Sequence, residues 1–309
     1  MKHRIFGLSF LFFFFYTSSF AKVENPLLPV YEDSLCHLAH KMFQCKTDAA
    51  KFKFNTEFLS LLEKTLKLDE AFDYPFDSLK DVGRLHSPDG SFNIFNWNIP
   101  KEDGTQVYFG FIQHHNPKTK VIDLFPLQDK RSEIKNPESQ SLDCKKWFGA
   151  LYYQIIENKS GKNTYYTLLG WDGNNRLSWK KLIDVVYFDR DGVPHFGENI
   201  FHMGKTPKKR VIFEFRAEMI MALRYNADKG MIIFDNLVPE APEGKGIYET
   251  YVMDGSYNGL IFKKGMWQLQ EDVNALNPKT KNDNFYEDPR SVSDKKASNT
   301  FTPAPKKKD

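Results

Sequence analysis

Five Asp-Gly pairs, Asp89-Gly90, Asp103-Gly104, Asp172-Gly173, Asp191-Gly192 and Asp254-Gly255, punctuate the chain between residues 76 and 277. Asp-Gly supplies the positive φ of a tight hairpin turn, so a chain marked this way folds largely as neighbouring antiparallel strands. The stretches between the pairs alternate as strands do: Val107, Phe109 and Phe111 fall on one face, Tyr108, Gly110 and Ile112 on the other. Strands are expected at 82–87, 92–98, 106–114, 120–125, 148–157, 164–171, 179–189, 209–216, 219–225, 231–235, 248–253, 259–263 and 266–270. The 28 Phe and 14 Tyr suit half-buried pleated surfaces. The expected class is mainly β, with antiparallel hairpin-rich sheets and two short N-terminal helices. Strands do not alternate with long helices, which argues against a parallel α/β fold. So many hairpin-linked strands must curl, split into two sheets or divide into propeller-like blades. No fixed sequence period selects among these.

The β region of 76–277 is flanked on both sides. Residues 1–21 carry Lys2 and Arg4, an apolar run from Ile5 to Tyr16, and small residues ahead of a cut after Ala21. This is the pattern of a secretory signal peptide, its apolar run well short of the roughly 20 residues that cross a bilayer. The expected address is the periplasm or the exterior, with no transmembrane segment left after cleavage. Residues 22–75 form a helical segment expected to pack on the sheet. Leu35, Leu38, Ala39, Met42 and Phe43, then Phe58, Leu61, Leu62 and Leu66, repeat at three and four, and Asn55 is a plausible N-cap for the second helix. The polar stretch 127–146 reads as a long loop. Residues 278–309, rich in Lys, Asn, Ser and Pro, are expected to be a disordered tail. That tail holds eight Lys/Arg against five Asp/Glu, so the body has no basic excess and no nucleic-acid footprint.

The three cysteines, Cys36, Cys45 and Cys144, allow one disulfide in an oxidising compartment. On one unbroken helix Cys36 and Cys45 would stand about 13 Å apart, beyond disulfide reach, so either Cys144 takes part or no bond forms. Cys36, His37, His40 and Cys45 lack the usual zinc spacings and are expected to flank a helix without a metal. Asp172, Asn174 and Asn175, like Asp189 and Asp191, miss the calcium-loop frame and fit turns better.

Two carboxylates stand inside strand patterns: Asp184 in LIDVVYF and Glu214 in RVIFEFR. Such residues could project from a sheet face as an acid/base pair, with Trp171 and Trp179 available to stack on a sugar. Alternation also places Glu214 with Arg210 and Arg216, as part of a charged ladder, and Asp184 could cap a buried network. No G-x-S-x-G elbow, phosphate-binding glycine loop or dinucleotide fingerprint occurs, and no cofactor is expected. Cys144, beside Lys145 and Lys146, fits a solvated loop.

The segments FDSLKDVGRLHSPDGSFNIFNWNIPKEDGTQVYFGFIQ, NPESQSLDCKKWFGALYYQII, YYTLLGWDGNNRLSWKKLIDVVYFDRDGVPHFG, RVIFEFRAEMIMALRYNADKGMIIFDNL and MDGSYNGLIFKKGMWQLQEDVNALN together resemble an uncharacterised family of exported proteins found in Bacteroidota. The resemblance spans Phe76 to Asn277 and implies a bacterial envelope protein. It transfers no activity and no site residue. The functional expectation is a non-catalytic envelope binding or structural protein with a protein or glycan partner. The alternative is a periplasmic or secreted hydrolase acting on a glycan.

Overall fold

The computed structural model describes residues 25–274; the signal peptide and tail expected at the two ends lie outside them. Two helices lead, α1 (Leu27–Gln44) and α2 (Asp48–Leu66). Thr47, not Asn55, caps α2, its side chain accepting from Ala50 N. Asn55 sits buried within the helix and accepts from Trp97 Nε1 at 2.8 Å. A short polar side chain can satisfy a tertiary donor as well as a helix terminus, and spacing alone does not distinguish the two roles.

The strands divide into three open sheets. The first is β1 (Gly83–His86), β2 (Phe92–Pro100), β3 (Gln106–His115) and β4 (Ile122–Gln128) in sequence order. The second contains β5 (Leu142–Asp143), β6 (Leu151–Ser160), β7 (Asn163–Asp172), β8 (Ser178–Phe188) and β9 (Pro194–Phe196) in the order β5-β9-β8-β7-β6. The third draws on β10 (Phe201–His202), β12 (Leu223–Asn226), β13 (Met231–Pro239), β14 (Tyr251–Lys263) and β15 (Met266–Gln270) in the order β10-β15-β14-β13-β12. Between them in sequence, β11 (Val211–Arg216) joins the second sheet on β8. Among the described residues all pairings between these strands are antiparallel except the two-residue β10–β15 contact. The expected mainly β, antiparallel architecture is present, and the chain adopts the split form, with three sheets rather than two.

The period-two alternation stacks these sheets as layers. On β2, Phe95, Trp97 and Ile99 face the helices, packing with Leu35, Phe58 and Leu62. The even-numbered Phe92 and Ile94 face the second sheet, meeting Leu168, Leu182 and Val186. On the far side of β7 and β8, Leu169, Ile183 and Val185 meet Phe234, Leu260 and Trp267 of the third sheet. The order is helices, first sheet, second sheet, third sheet. Polar keys fix the layers in register. Asn96 Oδ1 accepts from Tyr152 N at 2.7 Å between the first two sheets, and Trp267 Nε1 donates to Thr167 at 2.9 Å between the last two.

Three of the five Asp-Gly pairs make hairpin turns with glycine at positive φ, at Gly90, Gly104 and Gly192. The other two do not. Asp254-Gly255 lies inside β14, where residues 254–256 oppose Asn236 alone as a bulge, and Asn236 Nδ2 bonds Asp254 at 2.7 Å. The strands expected at 248–253 and 259–263 are therefore one bent strand. At Asp172-Gly173 the left-handed residue is Asn174, and Asp172 is buried.

Candidate functional site

At the β7–β8 loop end, the gap between the first and second sheets opens into a cleft of about 1060 Å³. The β2–β3 turn forms one wall, β8 and β11 the floor, and the 129–139 segment the other wall. Strand register builds the floor. Asp172 on β7 stands opposite Lys180 on β8, and Lys180 stands opposite Glu214 on β11. Alternation turns all three toward the first sheet, so a carboxylate, an ammonium and a second carboxylate cross the floor in one row, with neighbouring strands about 4.8 Å apart.

Each member of the row is held by the chain itself. Glu214 Oε1 accepts from Ser178 Oγ at 2.6 Å and from Asn174 Nδ2 at 3.2 Å, and its Oε2 lies 3.5 Å from Lys180 Nζ. Lys180 also donates to Asn174 Oδ1 at 3.1 Å. Asp172 accepts from Tyr108 OH at 3.1 Å, from Asn174 N at 2.8 Å, and from Arg131 Nη1. The Arg131 guanidinium lies 4.3 Å from the centre of the Tyr108 ring, donates to Gln106 O at 2.6 Å, and grips Asp129 through Nε and Nη2, each at 3.0 Å. Burial works against that cation, but the Asp172 and Asp129 carboxylates outweigh it and raise the Arg131 pKa. Burial and then the Asp172 charge push the Tyr108 phenol well up, so it stays a donor. The remaining cations are paired too: Lys101 with Asp103, and Lys208 with Glu138, both at 2.7 Å. The cleft is polar, open and electrically closed on itself.

Asp184 does not join this row. It shares a β8 face with Lys180 but lies four residues inward, about 13 Å along the strand. It is fully buried, with Arg210 Nε at 3.2 Å, Tyr152 OH donating at 3.1 Å, and Val185 N at 2.9 Å. It stands where the β8 edge changes partner from β11 to β9, which brings Arg210, the residue before β11, against it. The structure thus seals one of the two candidate carboxylates away from solvent and places the other in a cleft. The ladder is cross-strand: Glu214 meets Lys180, and Arg210 meets Asp184.

Trp171 and Trp179 fall on the opposite face of the second sheet from the cleft. They form a T-shaped pair with centroids 6.0 Å apart, and Trp179 packs into the core shared with the third sheet. The alternation that turns Asp172 and Lys180 into the cleft turns the adjacent tryptophans away. Cys36 lies in α1, and Cys45 follows its last turn; all three cysteines are free. Among the described residues no group of three or more His, Cys, Asp or Glu is arranged to hold a metal.

The residues that sequence reasoning did not single out are Tyr108, Asp129, Arg131 and Lys180. One signal pointed there: extending the β7 alternation by one residue puts Asp172 on the same inward face as Tyr166 and Leu168, and a carboxylate on a buried face needs a cation. Searches of protein-family models, curated proteins and solved structures return no match to this chain.

Proposed function

We propose that this chain is a non-catalytic binding or structural protein of the bacterial cell envelope, exported to the periplasm or exterior, whose cleft between the first two sheets receives a protein or glycan partner. The closed row Asp172–Lys180–Glu214 carries this reading. A general acid and base need carboxylates that can reach a substrate, whereas Glu214 and Asp172 are occupied by five side chains of the chain itself: Ser178, Asn174, Lys180, Tyr108 and Arg131. A polar cleft without net charge suits a partner recognised by shape and hydrogen bonding rather than by charge. The exported address rests on the N-terminal pattern and on the likeness to exported Bacteroidota proteins.

The test is a photo-crosslinking residue at exposed Thr206 on the cleft rim, with Lys53 on the helix layer as control, in cells that make the protein. One defined envelope component captured at Thr206 and not at Lys53 supports the reading. Turnover of an envelope glycan by the purified chain, abolished by Glu214→Gln, would overturn it in favour of the hydrolase.

A further inference from the structure

A second cleft wraps the opposite end of the second sheet and is lined by residues of both its faces. At the other end of β8, about 26 Å along the strand from Lys180, this cleft of about 670 Å³ is bounded by the ends of β2 and β3, the β6–β7 turn and the β8–β9 turn. Its chemistry differs from that of the first cleft. On the face turned toward the third sheet its walls include Tyr165 and Tyr187, which are half-buried and meet edge to face with centroids 6.1 Å apart, while Tyr166 and Phe188 line it on the face turned toward the first sheet. Behind Tyr187 the His195 ring stacks at 5.6 Å, and His195 in turn reaches Asp189 at 3.2 Å, so the tyrosine is held in place from behind.

The polar groups of this cleft are unevenly used. Asp89 is taken up by Tyr166 OH at 2.6 Å and Ser91 Oγ at 2.8 Å, and Asp189 by the backbone N–H groups of Asp191 and Val193. Lys162 and Arg190, by contrast, make no ion pair among the described residues. Among the described residues Glu198 is engaged by Asn199 N through Oε1 and makes no ion pair. His114 lies flat on Phe188 with centroids 3.9 Å apart; it is only 4% exposed, and its Nδ1 has no hydrogen-bond partner among the described residues. Burial lowers the pKa of that ring, and a neutral imidazole keeps one further hydrogen bond to give or take.

We infer that this second cleft binds an uncharged saccharide, a C–H face of the sugar lying against Tyr165 or Tyr187 while Lys162, Arg190 and Glu198 bond its hydroxyls. Free donors and a free acceptor beside ring faces match a ligand whose hydroxyls both give and accept hydrogen bonds. The three carboxylates offset the two cations, so the walls offer no field that would select a polyanion. This goes beyond the reading of the first cleft and does not depend on it.

The full mature chain is screened against an array of neutral gluco-, manno-, galacto-, xylo- and chito-oligosaccharides with oligogalacturonate as the acidic counterpart, and hits are titrated calorimetrically. Binding of at least one neutral class is expected, weakened about tenfold or more by Tyr187→Ala and by Arg190→Ala. Lys53→Ala, on the exposed side of α2 and outside both clefts, should leave it unchanged, and Tyr187→Phe, which preserves ring and packing, should bind within a fewfold of wild type. The inference is overturned if no neutral oligosaccharide binds, if only oligogalacturonate does, or if binding survives both alanine variants. Because the Thr206 crosslink reports on the first cleft and the Tyr187 and Arg190 variants on the second, failure of either proposal is distinguishable from failure of the other.

Discussion

Replacing Arg210 by Met puts the sealed ion pair to a quantitative test. Arg210 and Asp184 are both fully buried, and Arg210 Nη1 also donates to the carbonyls of Pro137 and Gln140. Removing one member of a buried pair strands the other charge and costs about 3–5 kcal/mol. Here Asp184 keeps the Tyr152 hydroxyl and the Val185 N–H, which places the electrostatic loss at the lower end, while each orphaned carbonyl adds about 1 kcal/mol. The sum is about 5 kcal/mol, a large share of the roughly 5–15 kcal/mol that holds a domain together. In the double variant Arg210→Met/Asp184→Leu no charge is stranded, so part of the charge component, about 3 kcal/mol, should return, while the Pro137 and Gln140 carbonyls, the Tyr152 hydroxyl and the Val185 N–H stay without these partners. Urea titrations at pH 7 of wild type, both singles and the double close the cycle. A loss below about 1 kcal/mol in Arg210→Met, or a double variant no more stable than the single, would refute the assignment of Asp184 as a structural partner of Arg210.

Three further outcomes are expected. Trp97→Phe keeps a ring against Phe58, whose centroid is 5.0 Å from that of Trp97, but strands the Asn55 acceptor; it should cost about 1–3 kcal/mol and speed amide exchange in α2 before the sheets. The Cys144 thiol, pushed up to about 12 by burial and then by Asp143, should be the slowest of the three cysteines to react with a disulfide reagent at pH 8 in the native chain, and should become comparable to the others in denaturant. Burial works to raise the Asp89 pKa, but bonds from Tyr166 and Ser91 outweigh it and hold the carboxyl below the usual range. Its stabilisation is therefore present above the unfolded carboxylate pKa near 3.9 and lost as pH falls through the lower folded value. The stability gap between wild type and Tyr166→Phe should be open at pH 7 and narrow below about pH 4 in urea titrations.

Alternation and turn chemistry are local, and they made much of the fold legible in sequence. The faces of β2, β3, β7 and β8 follow from side-chain period alone, and three Asp-Gly pairs make the turns that their positive-φ glycines allow. The readings that failed were those in which one residue type serves two environments. Asn55 resembles a cap but holds Trp97, and Asp254-Gly255 resembles a hairpin but bends a single strand. The β5, β9 and β10 strands are two or three residues long, too short to show any period.

For the site, sequence alone determined which residues carry charge and which sheet face each one takes. Asp184, Glu214, Trp171 and Trp179 could all be named as candidates from their strand patterns. Only tertiary structure decided their company. Strand register set Lys180 between Asp172 and Glu214, the change of edge partner on β8 enclosed Asp184 with Arg210, and the return of the 129–139 segment delivered Arg131 to Asp172. Side-chain period is written residue by residue, whereas register and the stacking of sheets arise from contacts between residues far apart in the chain, and no local pattern encodes them.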